Sequence, residues 1–155
     1  MEAVAHDCSA CPLAGKRGRV CVAGYFPQQA WSGLCFVSEY PWKDEARAGQ
    51  PFVGSPGRLL WAICKTLGIE QHSTLVLNAI SCFAGEWPEG DAAKKKEKAA
   101  AWAACRPRLV AALESWKPKV IVALGGEAIR SLLADNTATI GGYRGTVNRY
   151  AGGIG

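Results

Sequence analysis

From Val120 to Leu124 the chain is apolar at every position, beginning Val-Ile-Val. A short run without alternation, rich in β-branched residues, reads as a strand covered on both faces. Such a strand belongs at the centre of a mostly parallel sheet, where neighbours are joined by helical crossovers. The rest of the chain supplies both kinds of element. Val20 to Ala23, Leu34 to Val37 and Thr74 to Ile80 read as further strands. Ser55-Pro56 reads as a helix start, with Ser55 as N-cap, followed by Leu59, Leu60, Ile63, Cys64 and Leu67 at helical spacing and by Gly68 as a stop. Asp91 is expected to cap an Ala- and Lys-rich helix that Pro107 breaks and that restarts over Leu109 to Trp116. Gly125-Gly126 leads into a helix over Glu127 to Ala134. This alternation predicts an α/β domain, a three-layer αβα sandwich with a mostly parallel central sheet, in one domain spanning residues 1–155.

Two stretches resist that pattern. Glu39 to Gly57 is rich in Pro, Gly and charge and is expected to be a long surface loop, a place where function concentrates. Thr146 to Tyr150 looks like the start of a strand but runs into Ala151-Gly152-Gly153-Ile154-Gly155. A doubly wound domain rarely stops there, so the domain is expected to be incomplete at its C-terminus.

The first seven residues carry no basic head and apolar core, which argues against a signal peptide, and the longest apolar run is far too short to cross a bilayer. A cytoplasmic monomer with no membrane partner is the default. A formal charge of +5 is compatible with a polyanionic partner without requiring one. Much of the excess sits in Lys94-Lys95-Lys96-Glu97-Lys98, which reads either as a solvated helix face or as a patch facing phosphates.

Seven cysteines in a reducing compartment point to a metal or to redox chemistry rather than to disulfides. Cys8-Ser9-Ala10-Cys11 is a C-x-x-C turn, a spacing shared by zinc sites, redox pairs and iron–sulfur sites. No second C-x-x-C follows it. Cys21, Cys35 and Cys64 fall within apolar strand or helix patterns and read as small buried hydrophobes. Cys82, just past a strand end, and Cys105, beside Pro107, are free to turn toward a common centre with Cys8 and Cys11. Spacing alone leaves the metal undecided.

The motifs, taken in order, resemble those of the family 4 uracil-DNA glycosylases, the iron–sulfur type of bacteria and archaea. That family's C-x-x-C-P-L is matched by Cys8-Ser9-Ala10-Cys11-Pro12-Leu13. Its G-E-x-P-G corresponds to Ser38-Glu39-Tyr40-Pro41-Trp42, and its G-x-P-F-V-G-x-x-G to Gly49 through Gly57, with Pro51-Phe52-Val53-Gly54 at the centre. N-x-x-x-C appears as Asn78 to Cys82, C-x-P-x-L as Cys105 to Leu109, K-P-K-V-I-V-A-L-G as Lys117 to Gly125, and R-G as Arg144-Gly145.

The resemblance implies a uracil-DNA glycosylase-like fold, uracil-containing DNA as partner, and a structural [4Fe–4S] cluster on Cys8, Cys11, Cys82 and Cys105. It implies hydrolysis of the N-glycosidic bond of a nucleotide extruded from the base stack. Glu39 corresponds to the glutamate that activates water, Phe52 to the ring that stacks on the base, and Asn78 to the amide that reads its Watson–Crick edge. Backbone amides around Glu39 and Tyr40 are expected to bind a uracil oxygen. Two departures stand out: Tyr40 is bulky where the family has a small residue, and Ser38 and Trp42 stand where it has glycine. The segment between Cys82 and Cys105 is also long for the family. The family's later H-P-S motif, whose histidine stabilises the departing uracil anion, has no counterpart; only His6 and His72 are present, neither suitably positioned. Losing one such donor costs ~10²–10³ in rate, so the chain as it stands is expected to be a poor enzyme. The competing readings are a non-catalytic iron–sulfur relative that binds DNA or a base through an altered pocket, and a zinc-binding structural module.

Overall fold

The computed structural model describes residues 8–16, 18–83, 85 and 90–150. Three parallel strands form the central sheet: β2 (Leu34–Ser38) lies between β3 (Leu75–Asn78) and β5 (Val120–Ala123). A second, two-residue antiparallel pair joins β1 (Val20–Cys21) to β4 (Cys82–Phe83). The helices are α1 (Lys43–Ala48), α2 (Ser55–Thr66), α3 (Ala92–Trp116), α4 (Gly126–Leu133) and α5 (Ile140–Tyr143).

Side chains alternate across a strand, and both faces of this sheet are covered. Cys35, Val37, Leu75 and Leu77 pack against Leu109, Ala112 and Leu113 of α3 and Ala128 and Leu132 of α4, forming the main core. On the opposite face Phe36 meets Trp61 of α2, their rings 6.0 Å apart and edge to face. This is the expected three-layer αβα arrangement with a parallel central sheet. A smaller core of Leu13, Ala79, Ile80, Cys82, Ala101 and Trp102 lies beside it, beneath the N-terminal loop. No helix among the described residues is long and apolar enough to cross a membrane.

Five details differ from the expectations. The apolar Val120 strand is at the edge of the described sheet rather than its centre, and Val120 itself is exposed. The stretch expected to be a loop holds α1, because Glu45 is buried and its carboxylate accepts the Trp42 and Phe52 backbone N–H groups. A single long-range carboxylate does there what a periodic apolar stripe does elsewhere. The cap of α2 is Gly54, with Ser55 and Pro56 inside the first turn. Asp91 caps α3 as expected, accepting from Lys94 N at 3.0 Å, but α3 continues through Pro107 without a break. A mid-helix proline costs ~3 kcal/mol. Burial of Ala101 and Trp102 before it and of Leu109, Ala112 and Leu113 after it offsets this, at ~1.5–3 kcal/mol for each large side chain. Finally, residues 146–150 form no strand.

Candidate functional site

Cys8, Cys11, Cys82 and Cys105 line one small hollow, closed by Leu13, Ile80 and Ala104. They come from the N-terminal loop, β4 and the middle of α3. The loop turns tightly, with Cys11 N donating to Cys8 O at 2.9 Å and Ala14 N to Cys11 O at 2.9 Å, and both cysteines of the C-x-x-C border the hollow. Donors already address the sulfurs: Ser81 N lies 3.3 Å from Cys105 Sγ, and Arg19 Nη1 lies 3.7 Å from Cys82 Sγ. Zn–S bonds of about 2.3 Å would draw four sulfurs to within about 4 Å of one another. Among the described residues, however, no three His, Cys, Asp or Glu side chains converge closely enough to hold a single ion. The four cysteines border a hollow rather than a point.

Cys35 and Cys64 are buried, as expected, and burial pushes both thiols up. Cys21 is not: it is exposed and sits directly across the β1–β4 pair from Cys82. A hydrogen bond from Cys82 pulls the Cys21 thiol down to about 6, while the same contact pushes Cys82 up. A two-residue strand at the surface has no inner face, which is why an apolar pattern misassigned this residue.

The second constellation lies at the carboxyl ends of the parallel strands, where α/β sheets bind ligands. Register places Ser38 beside Asn78. The Ser38 hydroxyl donates to Asn78 Oδ1. Asn78 is 1% exposed, and its Nδ2 has no hydrogen-bond partner among the described residues. A buried donor left unpaired costs ~1–3 kcal/mol. Its backbone carbonyl accepts from Arg108 Nη2 at 3.3 Å, and Arg108 Nη1 donates to Ala23 O at 2.9 Å. This buried arginine, which sequence reasoning missed, ties α3 to the end of β3.

Ser38 and Asn78 share parity with Phe36 and Val76 and therefore face the α2 layer. Phe52 reaches that layer too, its ring edge-on to Trp61 with centroids 6.3 Å apart. Phe52 is half-buried at φ 57°, in the left-handed region, held by its N–H bond to Glu45. Gly57 makes the turn possible, since a Cβ there would lie 2.1–2.3 Å from the Phe52 backbone.

Glu39 follows Ser38 and is half-buried. Its Oε1 accepts the backbone N–H of Glu127, in the first turn of α4, at 3.1 Å. A carboxylate is favoured there by the helix dipole. Gly125 admits it: a Cβ at that position would sit 2.5–2.6 Å from the Glu39 side chain. The signal for Gly125 was available only as part of the K-P-K-V-I-V-A-L-G segment. The Glu127 carboxylate is partly buried, which pushes it up, but hydrogen bonds and charge from Arg130 and Lys98 outweigh this and hold it below the usual carboxylate value.

Tyr40 packs against the smaller core and stacks on Trp42, with ring centroids 5.6 Å apart. The lysine cluster divides. Lys94 lies 3.6 Å from Glu97, and Lys16 also pairs with Glu97. Lys98 sits over the Tyr40 ring, 3.2 Å from Glu127, while Lys95 and Lys96 face solvent. A broad concavity lies elsewhere, along the outer edge of β5 between α4 and residues 143–150. It is an open sheet edge, not a cleft around Glu39.

The sequence model of the family described as "Uracil DNA glycosylase superfamily" matches residues 23–152. The chain is 32% identical over 146 residues to the Type-4 uracil-DNA glycosylase of Thermotoga maritima, which covers 94% of this chain and 71% of the relative. It is 29% identical over 142 residues to that of Pyrobaculum aerophilum, covering 90% and 67%. Over 92 residues it is 33% identical to that of Archaeoglobus fulgidus, covering 59% and 43%.

Proposed function

The chain belongs to the uracil DNA glycosylase superfamily, and from that premise we propose that the strand-end constellation around Asn78 and Glu39 excises uracil from DNA. The protein is a DNA-repair hydrolase that breaks the N-glycosidic bond of uracil and leaves an abasic site. The observation that carries the assignment of residues is the unpaired Asn78 Nδ2, a buried donor at the carboxyl end of the sheet.

Uracil offers an acceptor at O4 beside a donor at N3. Asn78 Nδ2 donates to O4, while Oδ1, already accepting from Ser38, has a second lone pair for N3–H. Cytosine turns an amino group toward Nδ2, two donors meet, and the amide remains unpaired in a dry site. Polar mismatches of that kind discriminate far more strongly than a missing methylene. Phe52 stacks on the extruded base, and backbone amides around Glu39 and Tyr40 receive a uracil oxygen. As the bond breaks, the sugar becomes oxocarbenium-like and the base departs as an anion. The Glu39 carboxylate orients water toward the sugar and takes its proton, with the Glu127 N–H fixing one oxygen and leaving the other for water.

Cys8, Cys11, Cys82 and Cys105 hold a [4Fe–4S] cluster in this reading. Four cysteine sulfurs bordering one shared hollow are the donor set that such a cluster takes. The cluster would supply a structural tie between the N-terminal loop, the short β1–β4 pair and α3.

Release of uracil from a labelled oligonucleotide tests the assignment. Glu39→Gln is expected to lose ~10²–10⁴ in single-turnover rate, the usual contribution of a general base. Asn78→Ala is expected to lose rate and also preference for uracil over cytosine. No release by the protein from single- or double-stranded DNA would sink the reading.

A further inference from the structure

Trp42 is a costly residue to leave where it is. It is 54% exposed, three positions after Glu39, where a small residue would have sufficed for the turn. Yet its backbone is held on every side. Pro41 is fully buried, Trp42 N donates to Glu45 Oε2 at 2.8 Å, and Ala46 N donates to Trp42 O at 2.8 Å as α1 begins. The side chain is ordered as well: it stacks on Tyr40, with centroids 5.6 Å apart and planes 29° from parallel. Tyr40 in turn is anchored in the smaller core beside Ile80 and Cys82. Lys98 Nζ lies 4.9 Å from the Tyr40 centroid and is held by Glu127 at 3.2 Å.

A rigid, flat aromatic surface with a fixed cation beside it has the composition of a base-stacking platform on a single strand. Its position narrows the occupant. Glu39 acts at the sugar of the extruded nucleotide, so the strand on either side must pass within one phosphate of the segment Glu39 to Trp42. Lys95 and Lys96 are exposed on the α3 turn preceding Lys98, giving the passing backbone positive charge. We infer that Trp42, stacked on Tyr40 whose ring Lys98 also approaches, is the platform on which the unpaired base next to the extruded uracil stacks. This rests on the uracil-excision reading for its place on the strand, but its chemistry is independent of which base is read. Every base has a π-face, so the platform binds without sequence preference and favours DNA whose neighbouring base is free to leave the helix.

The experiment uses the protein with single-stranded oligonucleotides carrying 2′-fluoro-2′-deoxyuridine, whose glycosidic bond resists cleavage, and 2-aminopurine on one side or the other. Wild type is expected to quench 2-aminopurine on one side of the uracil. Trp42→Ala is expected to abolish the quenching and weaken binding about 5- to 150-fold, equally for uracil- and thymine-containing strands. Trp42→Phe, which keeps a ring, is expected to restore most of the affinity and excludes misfolding as the cause. Unchanged affinity of Trp42→Ala with quenching intact would overturn the platform, whatever the uracil preference. Loss of affinity only for uracil-containing strands would overturn it too, because Trp42 would then belong to the pocket. If wild type shows no preference for uracil yet Trp42→Ala weakens every strand, the platform stands and the excision reading fails.

Discussion

The cysteine hollow and the strand-end constellation nearly touch in the chain, at Cys82 and Asn78, but they are assembled by opposite means. Ser38 and Asn78 are register partners on adjacent parallel strands, and Glu39 and Gly125 continue from the ends of the neighbouring strands β2 and β5. The backbone ladder that builds the sheet also delivers these groups, and contacts such as the Glu127 N–H to Glu39 then fix their side chains. The cysteines come from a loop, a two-residue strand and a mid-helix turn, with only a small core beneath them. No sheet ladder joins those three segments to one another, and in the proposed reading the cluster adds to what holds them. In the proposed reading one region supplies chemistry and the other cohesion.

Substitutions should separate the two. The largest contrast is expected from Gly125→Ala. A methyl group there would meet the Glu39 side chain at 2.5–2.6 Å, and φ +105° is itself strained for alanine. A displacement of about 1 Å in a positioned group costs ~10² in rate, so excision should fall by about that factor while the visible absorption of the cluster is unchanged. Full activity in Gly125→Ala would mean that Glu39 works from another position. Cys105→Ala should do the reverse. Absorption near 400 nm should vanish and the melting temperature should drop by about 6–12 °C for a loss of about 3 kcal/mol. Excision measured well below melting should change less than in the glycine variant. An unchanged melting temperature would deny the hollow its structural role.

The smallest effect concerns Glu127, which donates its N–H to Glu39 and pairs through its carboxylate with Lys98 and Arg130. Because its folded value is lowered, its contribution is present above the ordinary carboxylate range and is lost as pH falls through the folded value. Glu127→Gln should therefore flatten the acid side of the stability profile by under about 1 kcal/mol and leave neutral stability almost unaltered. An acid limb identical to wild type would show that the pair contributes nothing.

The main elements were legible because their signals are local. The apolar strands, the 3.6-residue spacing of α2 and the Asp91 cap each depend on neighbours within a few positions. α1 was not legible, since its stability comes from a buried Glu45 that accepts from Trp42 and Phe52. Nor was the continuity of α3 across Pro107, which depends on residues buried in the smaller core before the proline and against the sheet after it.

Alone, the sequence determined the order of the main strands and helices, the C-x-x-C turn of Cys8 and Cys11, and the residue types available for chemistry. Tertiary structure decided the rest. It brought Cys82 and Cys105 to the same hollow while leaving Cys21 exposed beside it. It aligned Asn78 with Ser38 so that one amide atom is paired and the other is not. A residue's type fixes what it can donate or accept; whether a partner is present depends on register and packing between segments far apart in the chain, which no local pattern encodes.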